Sequence, residues 1–128
     1  MKKDGYILIY NEYKLMKKIE ATIQKNKLSI VSDAITGIVG GFTIMEGKGR
    51  GSGKRQNIRS DRGTNTITAE FNQVVTLITI VDDSMVEKVS KAIEEAAYTG
   101  NSTDGIIVIS NIESVLNIAS KKKNSEGI

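Results

Sequence analysis

Residues 82–100 read DDSMVEKVSKAIEEAAYTG. Val86, Val89, Ile93 and Ala96 or Ala97 recur at helical spacing, and Ser84 with Glu87 has the form of a capping box. Gly100 stands where a C-terminal cap belongs. What constrains the fold is the pair of segments flanking this helix. FNQVVTLITIV, residues 71–81, precedes it as a long β-branched strand. GIIVI, residues 105–109, follows as a continuous apolar run, expected to be buried on both faces. A helix held between two such strands must lay its stripe on a sheet that both strands share.

The first part of the chain repeats the pattern. In KIEATIQ, residues 18–24, Ile19, Ala21 and Ile23 alternate with Glu20, Thr22 and Gln24, the mark of a strand with one buried face. Leu28, Val31, Ala34 or Ile35, and Ile38 then continue at helical spacing, with Gly40-Gly41 as the stop. FTIME, residues 42–46, is the next strand. The order β-α-β-β-α-β specifies an α+β, ferredoxin-like sheet with both helices on one face. NIESVLNI, residues 111–118, is expected to be a short turn or helix with a final extended piece, and KKKNSEGI, residues 121–128, a loose tail.

A chain of 128 residues supports one such domain. Cysteine and histidine are both absent, which excludes disulfides, thiolate metal sites and imidazole catalysis, and no metal is expected. The run GYILIY, residues 5–10, is too short for a signal-peptide core or a membrane span, so a cytoplasmic protein is expected. Asp82-Asp83 marks a helix start, where acids complement the dipole, and Glu94-Glu95 diverge on a helix, so neither pair is expected to be catalytic.

Between the second and third strands the chain runs from Gly47 to about Ala69, where a hairpin needs only about 2–5 residues. This connection opens GKGRGSGKRQ and carries six basic residues against one Asp between Gly47 and Arg62. Apart from its glycines and charges it is a polar segment without periodicity. A connection of this length in a compact domain is either functional or disordered. A Walker phosphate loop is excluded, because Lys48 stands where its first Gly belongs and Arg55 where Ser or Thr would hold magnesium. Two uses remain: a basic finger for a protein partner, or a basic Gly/Arg loop for nucleic acid. The second is the weaker, because the central strands carry no aromatic residue on which a base could stack.

Three stretches together resemble the PII signal-transduction family. MKKIEATIQKNKL, residues 16–28, resembles its opening strand and first turn. GKGRG, residues 47–51, is similar to the glycine-arginine root of its long T-loop. Residues 82–109 follow its second helix, its B-loop and its fourth strand. The resemblance implies a divergent PII-like domain over residues 16–120, with a T-loop at about 47–70, after an N-terminal extension (1–15) and before a C-terminal tail (121–128). The extension's apolar run could add an edge strand. The resemblance further implies a homotrimer that is a regulator rather than an enzyme. Such a protein senses a small effector at clefts between subunits and controls a membrane transporter or metabolic enzyme through its T-loop. A transporter partner would recruit it to the membrane.

The implied effector is an adenine nucleotide: ADP, ATP or AMP. Its expected ligands are Gly49, Arg50, Gly51, Gln73, Thr99, Gly100, Asn101, Ser102, Thr103, Asp104, Gly105, Lys121 and Lys122. The expected partner-binding residues are Lys54, Arg55, Arg59 and Arg62. Several positions depart from the family pattern. Ile106 stands where the family places a phosphate-binding Lys after Asp-Gly, Thr103 where it has Gly, and Asn117 and Ala119 where it has arginines. Val74, with Gln73 beside it, replaces a lysine. The resemblance therefore implies weakened nucleotide contacts and no sensing of magnesium-ATP together with 2-oxoglutarate.

Overall fold

The computed structural model describes residues 15–52, 55, 57–59 and 66–128. Residues 1–14 of the extension, and Gly53, Lys54, Gln56 and Arg62 of the basic connection, lie outside the described residues. The main sheet is built from β1 (Met16–Gln24), β2 (Thr43–Gly49), β5 (Asn72–Asp82) and β6 (Gly105–Ile112), in the order β2-β5-β1-β6. Every neighbouring pair is antiparallel. Helices α1 (Leu28–Ile35) and α2 (Val86–Ala97) supply the two crossovers of the expected ferredoxin-like order.

The alternation read in the sequence sets the two faces. Ile19, Ala21 and Ile23 of β1 and Val75, Leu77 and Val81 of β5 form one buried cluster with Val31 and Ile35 of α1 and Val89, Ile93 and Ala97 of α2. Thr79 is buried on this side too, and its hydroxyl donates to the Gly41 carbonyl at 2.7 Å, so its polarity is satisfied. The opposite residues of β1 and β5 stay half-exposed, because no helix among the described residues lies over them.

Several local expectations are corrected. Helix α1 ends at Ile35 rather than running to Ile38, because the chain reverses through Gly37 at φ +92 and Ile38 and Val39 both donate back to the Ile35 carbonyl. The Ser84–Glu87 capping box does not form: Ser84 lies in a 3₁₀ turn, Asp83–Met85, whose Asp83 N–H donates to the Leu15 carbonyl at 2.8 Å. Helix α2 ends at Ala97, so Gly100 belongs to the following loop and does not cap the helix. The segment between Gly47 and Ala69 also has internal order. β2 extends through Gly49, and β3 (Asn57–Arg59) pairs with β4 (Thr66–Thr68) in a second, two-stranded sheet.

Strand β6 is an edge strand and is not buried on both faces: Ile106, Val108 and Ile109 are 65%, 46% and 45% exposed. The C-terminal segment is neither helical over 111–118 nor loose. Leu116 bridges to Lys123, a 3₁₀ turn spans Asn124–Gly127, and the Ser125 hydroxyl donates to Asp82 at 2.6 Å. Asn117 organises this segment, accepting from the Ala119 and Ser120 amides at 3.1 Å and donating to the Gly127 carbonyl at 3.1 Å.

Candidate functional site

The loop between α2 and β6 is folded around one carboxylate. Asp104 accepts the Thr99 and Gly100 amides at 2.7 and 2.9 Å, and the Thr99 hydroxyl as well. Its own N–H donates to the Asn101 carbonyl at 3.1 Å, while the Asn101 N–H donates to the Thr99 hydroxyl at 3.3 Å. Glycines make this turn possible at both ends: Gly100 has φ +89 and Gly105 φ +113. At Gly105 the chain presses against β1, where a Cβ would sit 1.9 Å from the Thr22 carbonyl oxygen. Gln24, the last residue of β1, ties the loop to the sheet by donating to the Thr103 hydroxyl at 3.3 Å and to Asp104 at 3.4 Å.

Beside the loop lies a cavity of about 300 Å³, floored by Ile93, Ala97 and Ile107 and rimmed by Glu94, Tyr98 and Asp104. Among the described residues no lysine or arginine lines it. Cationic help for an anionic ligand must therefore come from outside the cavity.

The predicted site residues fall into three places in one chain. Thr99, Gly100, Asn101, Ser102, Thr103, Asp104 and Gly105 form the loop just described. Gly49, Arg50 and Gly51 leave β2 beside β5, where Lys48 pairs with Gln73 and Gly49 with Asn72. This is the same end of the sheet as the Asp104 loop, since Gln24 pairs with Val74 and Val74 with Gly47. The two groups sit on opposite edges, about 14 Å apart across the strands that separate β2 from β6. Lys121 and Lys122 are elsewhere. The Ser125–Asp82 bond holds their segment at the far end of β5, where Asp82 pairs with Met16. A single chain thus does not bring them to the Asp104 loop. Of the partner-binding residues, Arg55 is described and half-buried and Arg59 ends β3, whereas Lys54 and Arg62 lie outside the described residues.

Sequence reasoning missed Gln24 and Asn117 as organisers. Asn117 spends its side chain on its own loop, so it cannot act in place of a ligand-binding arginine. Among the described residues no group of acidic side chains is placed to hold a metal ion, and no helix is long and apolar enough to cross a membrane.

The hydroxyl of Thr99, then its amide, hold the Asp104 carboxyl below its ordinary value of 3.8, against a smaller opposing effect of desolvation. The Gly100 amide and the charge of Lys27 add to the lowering. A carboxylate depressed on folding stabilises the fold in full above 3.8, and that contribution is lost as pH falls below 3.8 through the folded-state value. Asp104→Asn should therefore loosen the loop at neutral pH, accelerating exchange of the Thr99 and Gly100 amides. Its melting temperature should converge on that of the wild type in acid. A constant gap between the two proteins down to strongly acidic pH would show that Asp104 is not the titrating clasp.

Comparison with known proteins places this geometry. The family model described as "Nitrogen regulatory protein P-II" matches residues 16–122. A protein of that description from Nostoc punctiforme is 42% identical over 115 residues, covering 88% of this chain and 100% of its own length. Another from Azospirillum brasilense is 35% identical over 114 residues, with the same coverage of each chain. Among solved structures, Arabidopsis thaliana PII bound to citrate superposes with a TM-score of 0.71 at 22% identity, covering 90% of this chain and 94% of that one. The last comparison bears on the fold alone.

Proposed function

The chain belongs to the nitrogen regulatory protein P-II family, a family of signal-transduction regulators, and on that premise we propose a more specific role. The protein is a cytoplasmic homotrimer, a sensor rather than an enzyme. It takes an adenine nucleotide at clefts between subunits and signals to a transporter or metabolic enzyme through the loop that follows β2. A transporter partner would draw it to the membrane.

The observation that carries this role is the shared sheet end. The Asp104 loop and the glycine-arginine root of the basic connection open on the same end and on opposite edges of the sheet. A neighbouring subunit can place one beside the other, and Lys121 and Lys122 of a neighbour can supply the positive charge that the cavity lacks. The loop suits a phosphate only in part. Ser102 and Thr103 offer small hydroxyls, and Arg50 offers a fork-shaped cation. The Thr99 and Gly100 amides, however, are already held by Asp104, and Ile106 brings no charge where a lysine would.

Each missing cationic hydrogen bond forgoes about 1.5–3 kcal/mol. Two such losses weaken binding on the order of a hundredfold or more relative to a complete site. Calorimetry with ADP, ATP and AMP should accordingly detect weak binding, and Arg50→Ala should weaken it by about tenfold more. No heat and no thermal shift with any of the three would remove the nucleotide from this role and leave only the family assignment. The nucleic-acid use gains nothing from the structure: the uncovered residues of β1 and β5 are Lys18, Glu20, Thr22, Gln24, Val74, Thr76, Ile78 and Ile80, without an aromatic.

A further inference from the structure

We propose that Gln24, the last residue of β1, and Lys25, the first residue of the 3₁₀ turn that follows, are a relay that joins the Asp104 loop to the stem of the basic connection. Resting on the ligand-sensing role above, it names the positioning residues through which that loop acts on β2. The contacts of the two side chains lie on opposite sides of β1. Gln24 reaches toward the β6 edge and donates to Thr103 and Asp104 at 3.3 and 3.4 Å. Lys25 reaches toward the β2 edge, where its Nζ meets Glu46 Oε1 at 2.9 Å. Glu46 is followed directly by Gly47, Lys48 and Gly49, the last residues of β2. The backbone supports the same path, since Gln24 pairs with Val74 and Val74 with Gly47.

The physical consequence is directional. Gly105 has little room to shift toward β1, because even a Cβ built there would stand 1.9 Å from the Thr22 carbonyl oxygen. A ligand that rearranges Thr103 and Asp104 must then change their bonds to Gln24 rather than move the strand. Gln24 and Lys25 share a peptide bond at the entry to the 3₁₀ turn Lys25–Lys27, so a change at one alters the reach of the other. Lys25 and Glu46 are both about half-exposed, so their pair adds little to global stability and can break and re-form without unfolding anything.

Hydrogen exchange of the Glu46–Gly49 amides in the full-length protein, with and without ADP, tests the relay. In the wild type ADP should slow exchange at these amides by at least about fivefold, the lower end of typical coupling between sites. Lys25→Glu and Glu46→Lys should each bind ADP with unchanged affinity by calorimetry yet lose this slowing. The double variant, with the charges exchanged, should regain it, a result that a merely structural role for either residue does not produce. If the single variants keep the full slowing, the relay is wrong and ligand sensing stands. If wild-type protein binds ADP with no change at β2, the relay is again overturned. If no adenine nucleotide binds at all, the nucleotide role fails and the relay falls with it.

Discussion

Gly105→Ala is expected to cost about 3 kcal/mol or more, and to lower the melting temperature by roughly 10 °C or more in a domain of this size. Two independent causes act at this position. With φ at +113 the backbone is in a region that side chains rarely tolerate. An added Cβ would also stand 1.9 Å from the Thr22 oxygen, 2.9 Å from the Thr22 carbonyl carbon and 3.1 Å from the Ile23 Cα, all of them backbone atoms of β1. No rotamer change relieves such a clash, so β6 must move away from β1 or the loop must unwind. Either movement should abolish ligand binding. Gly51 is the control: a Cβ added there would meet nothing within 4 Å, and Gly51→Ala should be within about 0.5 kcal/mol of wild type. Denaturant unfolding measures both. A Gly105→Ala protein within about 1 kcal/mol of wild type would mean that the close approach of β6 to β1 is wrong.

Much of the fold was legible because it depends on local period. Ile19, Ala21 and Ile23 announce one buried face of β1, and Val89, Ile93 and Ala97 the buried stripe of α2, and the core uses these same residues. What failed was local inference in places where a distant partner intervenes. Ser84 and Glu87 have capping-box spacing, but the Leu15 carbonyl takes the Asp83 amide and a 3₁₀ turn replaces the cap. The apolar run of β6 reads the same whether a strand is central or at an edge, because hydropathy does not encode strand order. KKKNSEGI looks loose until Ser125 finds Asp82, a contact across 43 positions.

Site legibility followed the same rule. The glycine-arginine root draws attention through its glycines and charges, and Asp104-Gly105 only through the family resemblance. Gln24 does not, since its role arises only when antiparallel register sets it beside Thr103 and Asp104. Likewise, nothing in Lys121-Lys122 reveals that their own chain holds them at the opposite end of the sheet from the loop they were expected to serve.

The uncovered face of the sheet leads to the other large effect, on assembly. Antiparallel register aligns its residues in rows: Val108, Glu20, Ile78 and Thr43 in one, and Ile106, Thr22, Thr76 and Met45 in the next. Met45 is 53% exposed and Ile106 65%, so a large apolar area lies open in the isolated chain. The polar residues along β1 are already paired within this face. Lys18 meets Glu20 at 2.8 Å, and the Thr22 and Thr76 hydroxyls are 2.9 Å apart. Covering the face therefore strands none of these groups, whereas it removes the apolar area from water. A homotrimer with the three sheets packed together satisfies both conditions, and light scattering should give the mass of three chains at micromolar concentration. Val108→Glu would bring an unpaired carboxylate into each of those contacts, beside Glu20, at a cost of several kcal/mol. Association should weaken by on the order of a hundredfold or more, leaving a folded monomer in the same experiment. Val108→Leu should remain trimeric. A wild-type protein that runs as a monomer would refute the trimer and the inter-subunit cleft together, since in one chain the Asp104 loop, the Arg50 root and Lys121 lie apart.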